Sequence, residues 1–450
     1  MHALFTSLSG GDALRARILD LIAEAAARAN ARKIELHVMM FAFTDEQLAD
    51  ALAEAASRHP SMTIRILADW SQRNHTRGQQ TGRLAELNLR NLRVRYKKDQ
   101  PYLWDAEAGH VRWSYHVSQG LLHHKTLGIL VNGRPWRLIC GSFNWTATAI
   151  RSYENLLVLT SEHPESRLLM ARMELEFEAL WSDGRATLSP QEAHQHYRAI
   201  VDEFSRDPTT PPTAVTGIGS GQGDRLQALD TECFPPQYER AHEDDWDKPA
   251  RPINSGTDIA FSSCGPEEDS RGSGYAEINR KQRFLLRTPS AKVKRAPLTL
   301  TNLALDTLFG AAPGDTLKIA MYGLSARVPE YGALLAAARR GVRLLVLLDG
   351  SVGDDISTRF ASACGLQRLP IEVRTTSRMM HQKYVLNTTS ATVLTGTANM
   401  STDASSRHFE HRIRISGQLE LAAQFNADFD TIWERLSDQL PSDERAGHTD

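Results

Sequence analysis

The chain has 450 residues, of which 41% are hydrophobic and 24% charged, and its formal net charge is −2. These values are typical of a soluble globular protein with two domains, and the near-zero charge excludes bulk electrostatics as a guide to a partner. The four cysteines are far apart and form no CxxC pair, which argues against structural zinc and a dense disulfide framework, so we expect reduced thiols.

The N-terminus has no basic segment followed by an apolar one, and the chain contains no run of 18 apolar residues. We therefore expect a protein that spans no membrane and folds in the cytoplasm, with export by a signal-independent route left open.

Helix and strand patterns alternate from the start of the chain. Residues 12–31 carry apolar side chains at helical spacing, and KIELHVMMFAF then reads as a buried strand. The helix DEQLADALAEAASR follows with Asp45 as its N-cap, and MTIRILADW is the next strand, ending at Asp69. This strand–helix–strand order predicts a largely parallel sheet covered by helices.

The same order returns in the second half of the chain. DTLKIAMYGL reads as a strand, PEYGALLAAARR as a helix and VRLLVLLDG as a strand ending at Asp349, which indicates a duplicated α/β domain. Between the copies the chain is rich in Pro, Gly, Ser and charge, as connecting segments are. The predicted organisation is an N-terminal lobe over residues 1–205, a connecting segment over 206–280, a C-terminal lobe over 281–440 and a polar tail over 441–450.

Each copy carries the same ordered set of polar residues. A His-x-Lys pattern, whose alternate residues share one face of a strand, is followed by a second strand, a Gly-Ser or Gly-Thr turn and a glutamate. The spacing between equivalent residues of the two copies is nearly constant. The set comprises His123, Lys125, Ser142, Asn144 and Glu154 in the first copy, and His381, Lys383, Thr397, Asn399 and Glu410 in the second.

These side chains suit phosphoryl transfer. Imidazole acts as a nucleophile or as an acid and base near neutral pH, and lysine, hydroxyl and amide groups donate to anionic oxygens. A carboxylate bonded to the far ring nitrogen fixes the imidazole tautomer and stabilises its charged form. One histidine would attack phosphorus while the other protonates the leaving oxygen and then activates water. Because lysines supply the positive charge, no metal or cofactor is predicted.

The duplicated pattern resembles the signature of the phospholipase D superfamily, HxKxxxxD followed by GSxN or GTxN. The resemblance implies two α/β/α sandwich lobes in one chain, related by a pseudo-twofold axis, with one active site between them. It implies that His123 is the nucleophile and His381 the acid and base, roles that the residues alone do not separate. It further implies that Lys125, Lys383, Ser142, Asn144, Thr397 and Asn399 bind phosphate and that Glu154 and Glu410 orient the histidines.

The signature aspartate is missing from both copies, since Leu130 and Thr388 occupy its place. Asn132 and Asn387 lie nearby and are candidates to stabilise the turn. The loss is expected to concern hairpin geometry more than chemistry, with reduced activity left open.

Other histidines have simpler interpretations. His124 should point to the opposite face of its strand and be structural. The HQH sequence at residues 194–196 lacks the helical spacing of a metal pair and is expected on a solvated helix, and the HEDDWD run at residues 242–247 is expected in a solvated loop.

Residues 73–98 hold eight Lys/Arg against one Glu, and aromatic residues lie at and beyond the end of this stretch. The stretch could guide nucleic acid or anionic lipid, or be a solvated helix face. Its cations are Arg73, Arg77, Arg83, Arg90, Arg93, Arg95, Lys97 and Lys98. Three functions therefore remain: a phosphodiesterase acting on phospholipid headgroups, which is slightly favoured, an endonuclease, and a catalytically impaired protein that binds a phosphate ligand.

Overall fold

The computed structural model describes residues 1–73, 78–98, 102–105, 110–113, 121–182, 187–206, 256–261, 300–401, 404 and 408–437. The predictions for Arg77, for the run 242–247 and for the tail 441–450 lie outside these residues, as does most of the predicted connecting segment.

The described strands form one large sheet in each lobe and a separate two-stranded ribbon, β5–β6. The first sheet has the order β1-β9-β8-β7-β2-β3-β4-β10 and the second the order β11-β17-β16-β15-β12-β13-β14, so seven strands correspond position for position. The strands are β1 (His2–Phe5), β2 (Ile34–Met40), β3 (Thr63–Ala68), β4 (Leu92–Lys97), β5 (Tyr102–Asp105), β6 (His110–Trp113), β7 (Lys125–Val131), β8 (Arg134–Gly141), β9 (Asn155–Thr160), β10 (Thr187–Leu188), β11 (Asp258–Phe261), β12 (Thr316–Met321), β13 (Arg343–Asp349), β14 (Ile371–Thr376), β15 (Lys383–Asn387), β16 (Thr392–Gly396) and β17 (His411–Ile415).

Both large sheets are mixed, so the prediction of largely parallel sheets was wrong. Only β2, β3 and β4, and their counterparts β12, β13 and β14, are paired in parallel. The remaining pairs are antiparallel. Two of them, β7–β8 and β15–β16, are hairpins, and a short hairpin loop can join only antiparallel strands. The NGRP hairpin is one such connection, with Asn132 and Gly133 at φ values of 52° and 73°.

Helices cover both faces of each sheet. Asp45 caps its helix as predicted, since its Oδ1 accepts from the backbone N–H of Leu48 at 3.1 Å. The helices are α1 (Thr6–Ser9), α2 (Gly11–Arg28), α3 (Glu46–Arg58), α4 (Gln80–Glu86), α5 (Ala147–Arg151), α6 (Pro164–Ser182), α7 (Pro190–Arg206), α8 (Leu300–Phe309), α9 (Pro329–Arg339), α10 (Asp354–Gln367) and α11 (Leu419–Ser437), with a 3₁₀ turn at Trp70–Arg73. None of the described helices is both long enough and apolar enough to cross a bilayer.

The two lobes share a core. Helices α6 and α11 lie between the sheets, and one buried apolar cluster includes residues of both helices and both sheets. Phe5 of the first lobe, for example, packs edge to face on Phe425 of α11, with ring centres 4.9 Å apart. Separate clusters fill the outer sides, one beneath α2 and α3 and one beneath α8 and α9. The duplicated α/β domain predicted from the pattern, and the two α/β/α lobes that the resemblance implied, are therefore confirmed.

Strand β11 completes the second sheet from an unexpected part of the chain. Asp258–Phe261 pairs antiparallel with β17, as β1 pairs with β9 in the first lobe. These residues fall within the segment 206–280 that the composition assigned to the connection. Arg172 of α6 forms an ion pair with Asp258, which ties the strand to the first lobe.

Candidate active site

The polar residues that recur in the same order in both copies meet where short backbone bridges connect the two lobes. The N–H of His123 donates to the carbonyl of Phe409 at 2.9 Å, and the N–H of His381 donates to the carbonyl of Tyr153 at 3.0 Å. Phe409 and Tyr153 each directly precede a motif glutamate. The bridges therefore bring the glutamate of one lobe beside the histidine of the other.

The histidines and glutamates are paired crosswise. Nδ1 of His123 is hydrogen-bonded to Oε1 of Glu410 at 2.8 Å, and Nδ1 of His381 lies 2.8 Å from Oε1 of Glu154. The two imidazole ring centres are 6.4 Å apart. Because each Nδ1 faces a carboxylate, each Nε2 is the nitrogen left for a substrate between the lobes.

A lysine accompanies each histidine. Nζ of Lys125 donates to the carbonyl of His123 at 2.6 Å, and Nζ of Lys383 makes the equivalent bond to His381. Both lysines are 2% exposed. The site thus concentrates two ammonium groups and two imidazoles in a nearly closed space, an arrangement suited to an anion with tetrahedral oxygens.

The glycine of each Gly-Ser or Gly-Thr turn is required by its backbone. Gly141 has a φ of 151° and Gly396 a φ of 147°, and a Cβ at either would come within 2.4 Å of a carbonyl oxygen on the neighbouring strand. Side chains other than hydrogen would push that strand, and with it the glutamate that precedes it, out of place.

The turn hydroxyls lock this geometry. The Ser142 hydroxyl accepts from the N–H of Asn155 at 2.9 Å, and the Thr397 hydroxyl accepts from the N–H of His411 at 3.1 Å. Both side chains are fully buried, so they hold the residue after each glutamate. Their predicted contact with phosphate remains a prediction.

The turn amides are half-buried and less symmetric. Oδ1 of Asn399 accepts from the N–H of Gly323 at 3.3 Å. Oδ1 of Asn144 is buried and has no hydrogen-bond partner among the described residues. Phosphate binding by these two asparagines also remains a prediction.

Burial controls the protonation of the site. It lowers the pKa of His381 and, more strongly, that of His123, although the facing glutamate opposes the shift in each case. It also lowers the pKa of Lys125 well below its usual value and that of Lys383 to about 8. Burial raises the pKa of Glu410, but the nearby imidazoles of His123 and His408 outweigh it and hold this pKa well below the usual range.

Two buried aspartates support the histidine strands. Oδ2 of Asp69 accepts from the N–H of Leu122 at 2.7 Å, and Oδ2 of Asp349 accepts from the N–H of Met380 at 2.8 Å. Each of these N–H groups belongs to the residue before a site histidine. The sequence showed both aspartates only as strand ends, and their shared role became visible once the loops were folded against them.

Asparagines near the positions of the missing signature aspartates make hydrogen bonds at the turns. Oδ1 of Asn132 accepts from the N–H of Lys33 at 3.1 Å. Oδ1 of Asn387 accepts from the N–H of Thr389 at 3.0 Å, and its Nδ2 donates to Asp315. The prediction of turn stabilisation is confirmed for Asn387, which bonds within its own turn, whereas the Asn132 side chain links its turn to the residue before β2.

Three further residues of the site were not found from the sequence. Phe41 and Tyr322 pack edge-on against His123 and His381, with ring centres 5.0 and 5.2 Å apart. Each follows the last residue of its strand, at equivalent points of the two copies, which was an available signal. His408 lies two residues before Glu410, and its ring centre is 5.9 Å from that of His123.

His124 lies outside the cluster of motif histidines, lysines and glutamates, as predicted. It is fully buried, and its Nδ1 lies 2.9 Å from Nδ1 of His411 at the lobe interface. Of the HQH histidines on α7, His194 is exposed, whereas His196 packs edge-on against Trp70.

The basic stretch does not form one exposed patch among the described residues. The Arg73 guanidinium packs over the rings of Trp70 and Tyr197, at 4.7 and 4.2 Å from the ring centres. Arg95 donates to Thr187, and Lys97 is 2% exposed. Arg90 and Arg93 are exposed, and Arg83 and Lys98 are half-buried.

This fold, with two His-Lys-Glu sets facing one another, defines a two-lobed phospholipase D-like protein. The chain also matches the family described as "Cardiolipin synthase, PLD-like domain" over residues 23–181 and 306–433. It therefore belongs to the phospholipase D superfamily, and a phosphodiesterase-type function is supported.

Solved structures resemble this chain to different degrees, and the first of the following shares its fold. A phosphatidylserine synthase from Haemophilus influenzae Rd KW20 is 13% identical, with a TM-score of 0.55 and coverage of 99% of this chain and 91% of that one. Nuc from Salmonella typhimurium, a phospholipase D family member, is 20% identical, with a TM-score of 0.28 and coverage of 40% and 94%. A polyphosphate kinase from Porphyromonas gingivalis is 12% identical, with a TM-score of 0.47 and coverage of 96% and 50%. No curated protein matches the chain.

Proposed function

We propose that this protein cleaves a phosphodiester through a phosphohistidine intermediate, without a metal ion, and that phospholipids are its substrate class. The observation that carries the proposal is the crosswise pairing of His123 with Glu410 and of His381 with Glu154, each at 2.8 Å. Two oriented imidazoles facing one space provide a nucleophile and a proton donor for the same phosphorus.

In the first step, the lone pair on Nε2 of His123 attacks phosphorus, and the bond from phosphorus to the leaving oxygen breaks. Nε2 of His381 gives its proton to that oxygen. In the second step, His381 takes a proton from water or an acceptor alcohol, whose oxygen attacks phosphorus. The P–N bond then breaks and its electrons return to His123.

The electrostatics of the site fit these roles. Burial lowers the pKa of His123, which favours the neutral ring that a nucleophile needs. Glu410 then stabilises the positive charge that the ring gains when it carries phosphorus. For His381, burial also lowers the pKa, but an anionic phosphate bound beside it favours the protonated ring that an acid needs.

The comparisons favour phospholipid over nucleic acid. Cardiolipin synthase, which gives the matched family its description, and the phosphatidylserine synthase that shares the fold are both named for making phospholipids. Their names also favour transfer to an acceptor hydroxyl beside hydrolysis. The second candidate is an endonuclease, favoured by the exposed Arg90 and Arg93.

Turnover in EDTA tests the proposal. Bis(p-nitrophenyl) phosphate, phosphatidylcholine vesicles with and without glycerol, and single-stranded DNA are compared for wild type, His123→Ala and His381→Ala. We expect lipid headgroup release that both substitutions abolish, and a glycerol adduct if transfer occurs. Cleavage of DNA alone would select the endonuclease, and lipid or DNA binding without turnover would select a binding protein.

A further inference from the structure

A third histidine stands beside the site on one side only. Nδ1 of His408 lies 3.5 Å from Oε1 of Glu410, the oxygen that also contacts Nδ1 of His123 at 2.8 Å. Each of the three residues offers one ligand atom, an imidazole nitrogen or a carboxylate oxygen, that lies within 4.8 Å of the other two.

This is a ligand set that zinc-class ions use. Metal–ligand bonds of about 2.0–2.2 Å at tetrahedral angles separate neighbouring ligand atoms by roughly 3.3 Å, so the two distances that end on Glu410 need shifts of only about half an ångström. The His408 side chain is 16% exposed, which gives an ion a route to the fully buried Glu410.

The other half of the site lacks the third ligand. The residue two before Glu154 is Ser152, which is buried, and its hydroxyl donates to the carbonyl of Thr148 at 2.9 Å. His381 and Glu154 therefore reproduce the His123–Glu410 pair without a counterpart of His408. This internal comparison identifies His408 as the difference between the halves.

A second group of possible ligands is already occupied by a cation. His37, Glu174 and Glu178 also approach one another within 4.8 Å. However, the guanidinium of Arg65 donates to Nε2 of His37 at 3.0 Å and to Glu178 at 3.0 Å. A metal ion would have to displace this arginine.

We propose that His123, His408 and Glu410 bind one divalent transition-metal ion and that this ion inhibits the enzyme. On Nδ1 of His123 the ion would draw electron density from Nε2, the attacking nitrogen. It would also take the carboxylate that stabilises the positive ring of the intermediate. The inhibition rests on the proposed function, whereas binding of the ion does not.

Binding is tested by titrating the chelator-treated full chain with Co²⁺ and Zn²⁺, using the visible absorption of cobalt and calorimetry. His408→Ser installs the residue of the other half-site, and His194→Ser removes an exposed histidine on α7 as the matched control. We expect one equivalent bound by wild type and His194→Ser, and at least tenfold weaker binding by His408→Ser and by Glu410→Gln. Equal binding by wild type and His408→Ser, or no binding by wild type, would overturn the site.

Inhibition is tested with bis(p-nitrophenyl) phosphate at increasing Zn²⁺, each protein being compared with its own metal-free rate. Wild type should lose more than nine-tenths of its rate as zinc fills the site, with zinc occupancy measured by displacement of bound cobalt, and EDTA should restore the rate. A zinc-loaded wild type that keeps its full rate would overturn the inhibitory role. Absence of any metal-free turnover would contradict the proposed function alone, since the cobalt titration still decides the site.

Discussion

Replacing Glu410 with glutamine should slow formation of the phosphoenzyme by roughly 10²- to 10⁴-fold. The substitution keeps the shape of the side chain and removes the charge that faces Nδ1 of His123 at 2.8 Å. At that separation, and with an effective dielectric constant near 20, the attraction between carboxylate and imidazolium is about 6 kcal/mol. A hydrogen bond to a charged group contributes about 1.5–3 kcal/mol, so the loss should lie between about 3 and 6 kcal/mol.

Rapid-quench kinetics on two substrates separate this effect from a general loss of structure. Nitrophenolate is a good leaving group that departs without a proton, whereas the alkoxide of a phospholipid headgroup needs one. Glu410→Gln should slow both substrates alike because it weakens the nucleophile. The matched variant Glu154→Gln acts on the acid His381, so it should slow the headgroup substrate far more than the nitrophenyl ester.

The result that refutes this reasoning is a folded Glu410→Gln protein that forms phosphoenzyme within threefold of wild type on both substrates. If Glu410→Gln slowed mainly the headgroup substrate and Glu154→Gln slowed both substrates alike, the roles of His123 and His381 would be exchanged. Thermal unfolding of both variants shows whether a loss of rate comes from a loss of fold.

Three other outcomes follow from the same contacts. Gly141→Ala should lower the free energy of unfolding in urea titrations by roughly 2–4 kcal/mol, because the added Cβ would come within 2.4 Å of the Asn155 carbonyl oxygen. The control Gly365→Ala lies on a helix with open space around it and should raise the free energy of unfolding by about 0.5–1 kcal/mol, so equal effects of the two substitutions would contradict the requirement for glycine at the turn. Asp69→Asn should reduce kcat about tenfold with little change in KM, since it weakens the hydrogen bond from the Leu122 N–H that positions the residue before His123. A variant that loses stability but keeps the wild-type kcat would refute this role. Buried histidines with lowered pKa values bind fewer protons than the unfolded chain once the pH falls below about 6.5, so the free energy of unfolding from urea titrations should fall between pH 7 and 5.5, by up to about 1.4 kcal/mol per histidine per pH unit. Glu176 and Asp428, whose pKa values burial raises to about 8 and about 6, oppose this by up to one proton each, and a free energy that rises over this range would contradict the lowered histidine pKa values. The histidines concerned are His123, His124, His381 and His411.

The duplication made most of the architecture predictable. Both His-x-Lys strands, both glycine turns and both glutamates were found because each chemistry recurs in order at a nearly constant spacing. The crosswise partnership of Glu154 and Glu410 was not predictable, since it depends on bridges between lobes that are far apart in sequence. Strand β11 was missed for a related reason, because a short edge strand surrounded by polar residues has no pattern of its own.

Departures from the internal symmetry distinguish the two halves of the site. Glu410 contacts a second imidazole, that of His408, and its pKa is held well below the usual range, so its negative charge persists when a positive ring forms beside it. A histidine that carries phosphorus is positively charged for the lifetime of the intermediate, and an ionised carboxylate beside it stabilises that charge throughout. A histidine that acts as acid and base must instead release its proton between the two steps. The second imidazole beside Glu410 therefore fits the proposed role of His123 as nucleophile, and Glu154 has no such neighbour two residues before it.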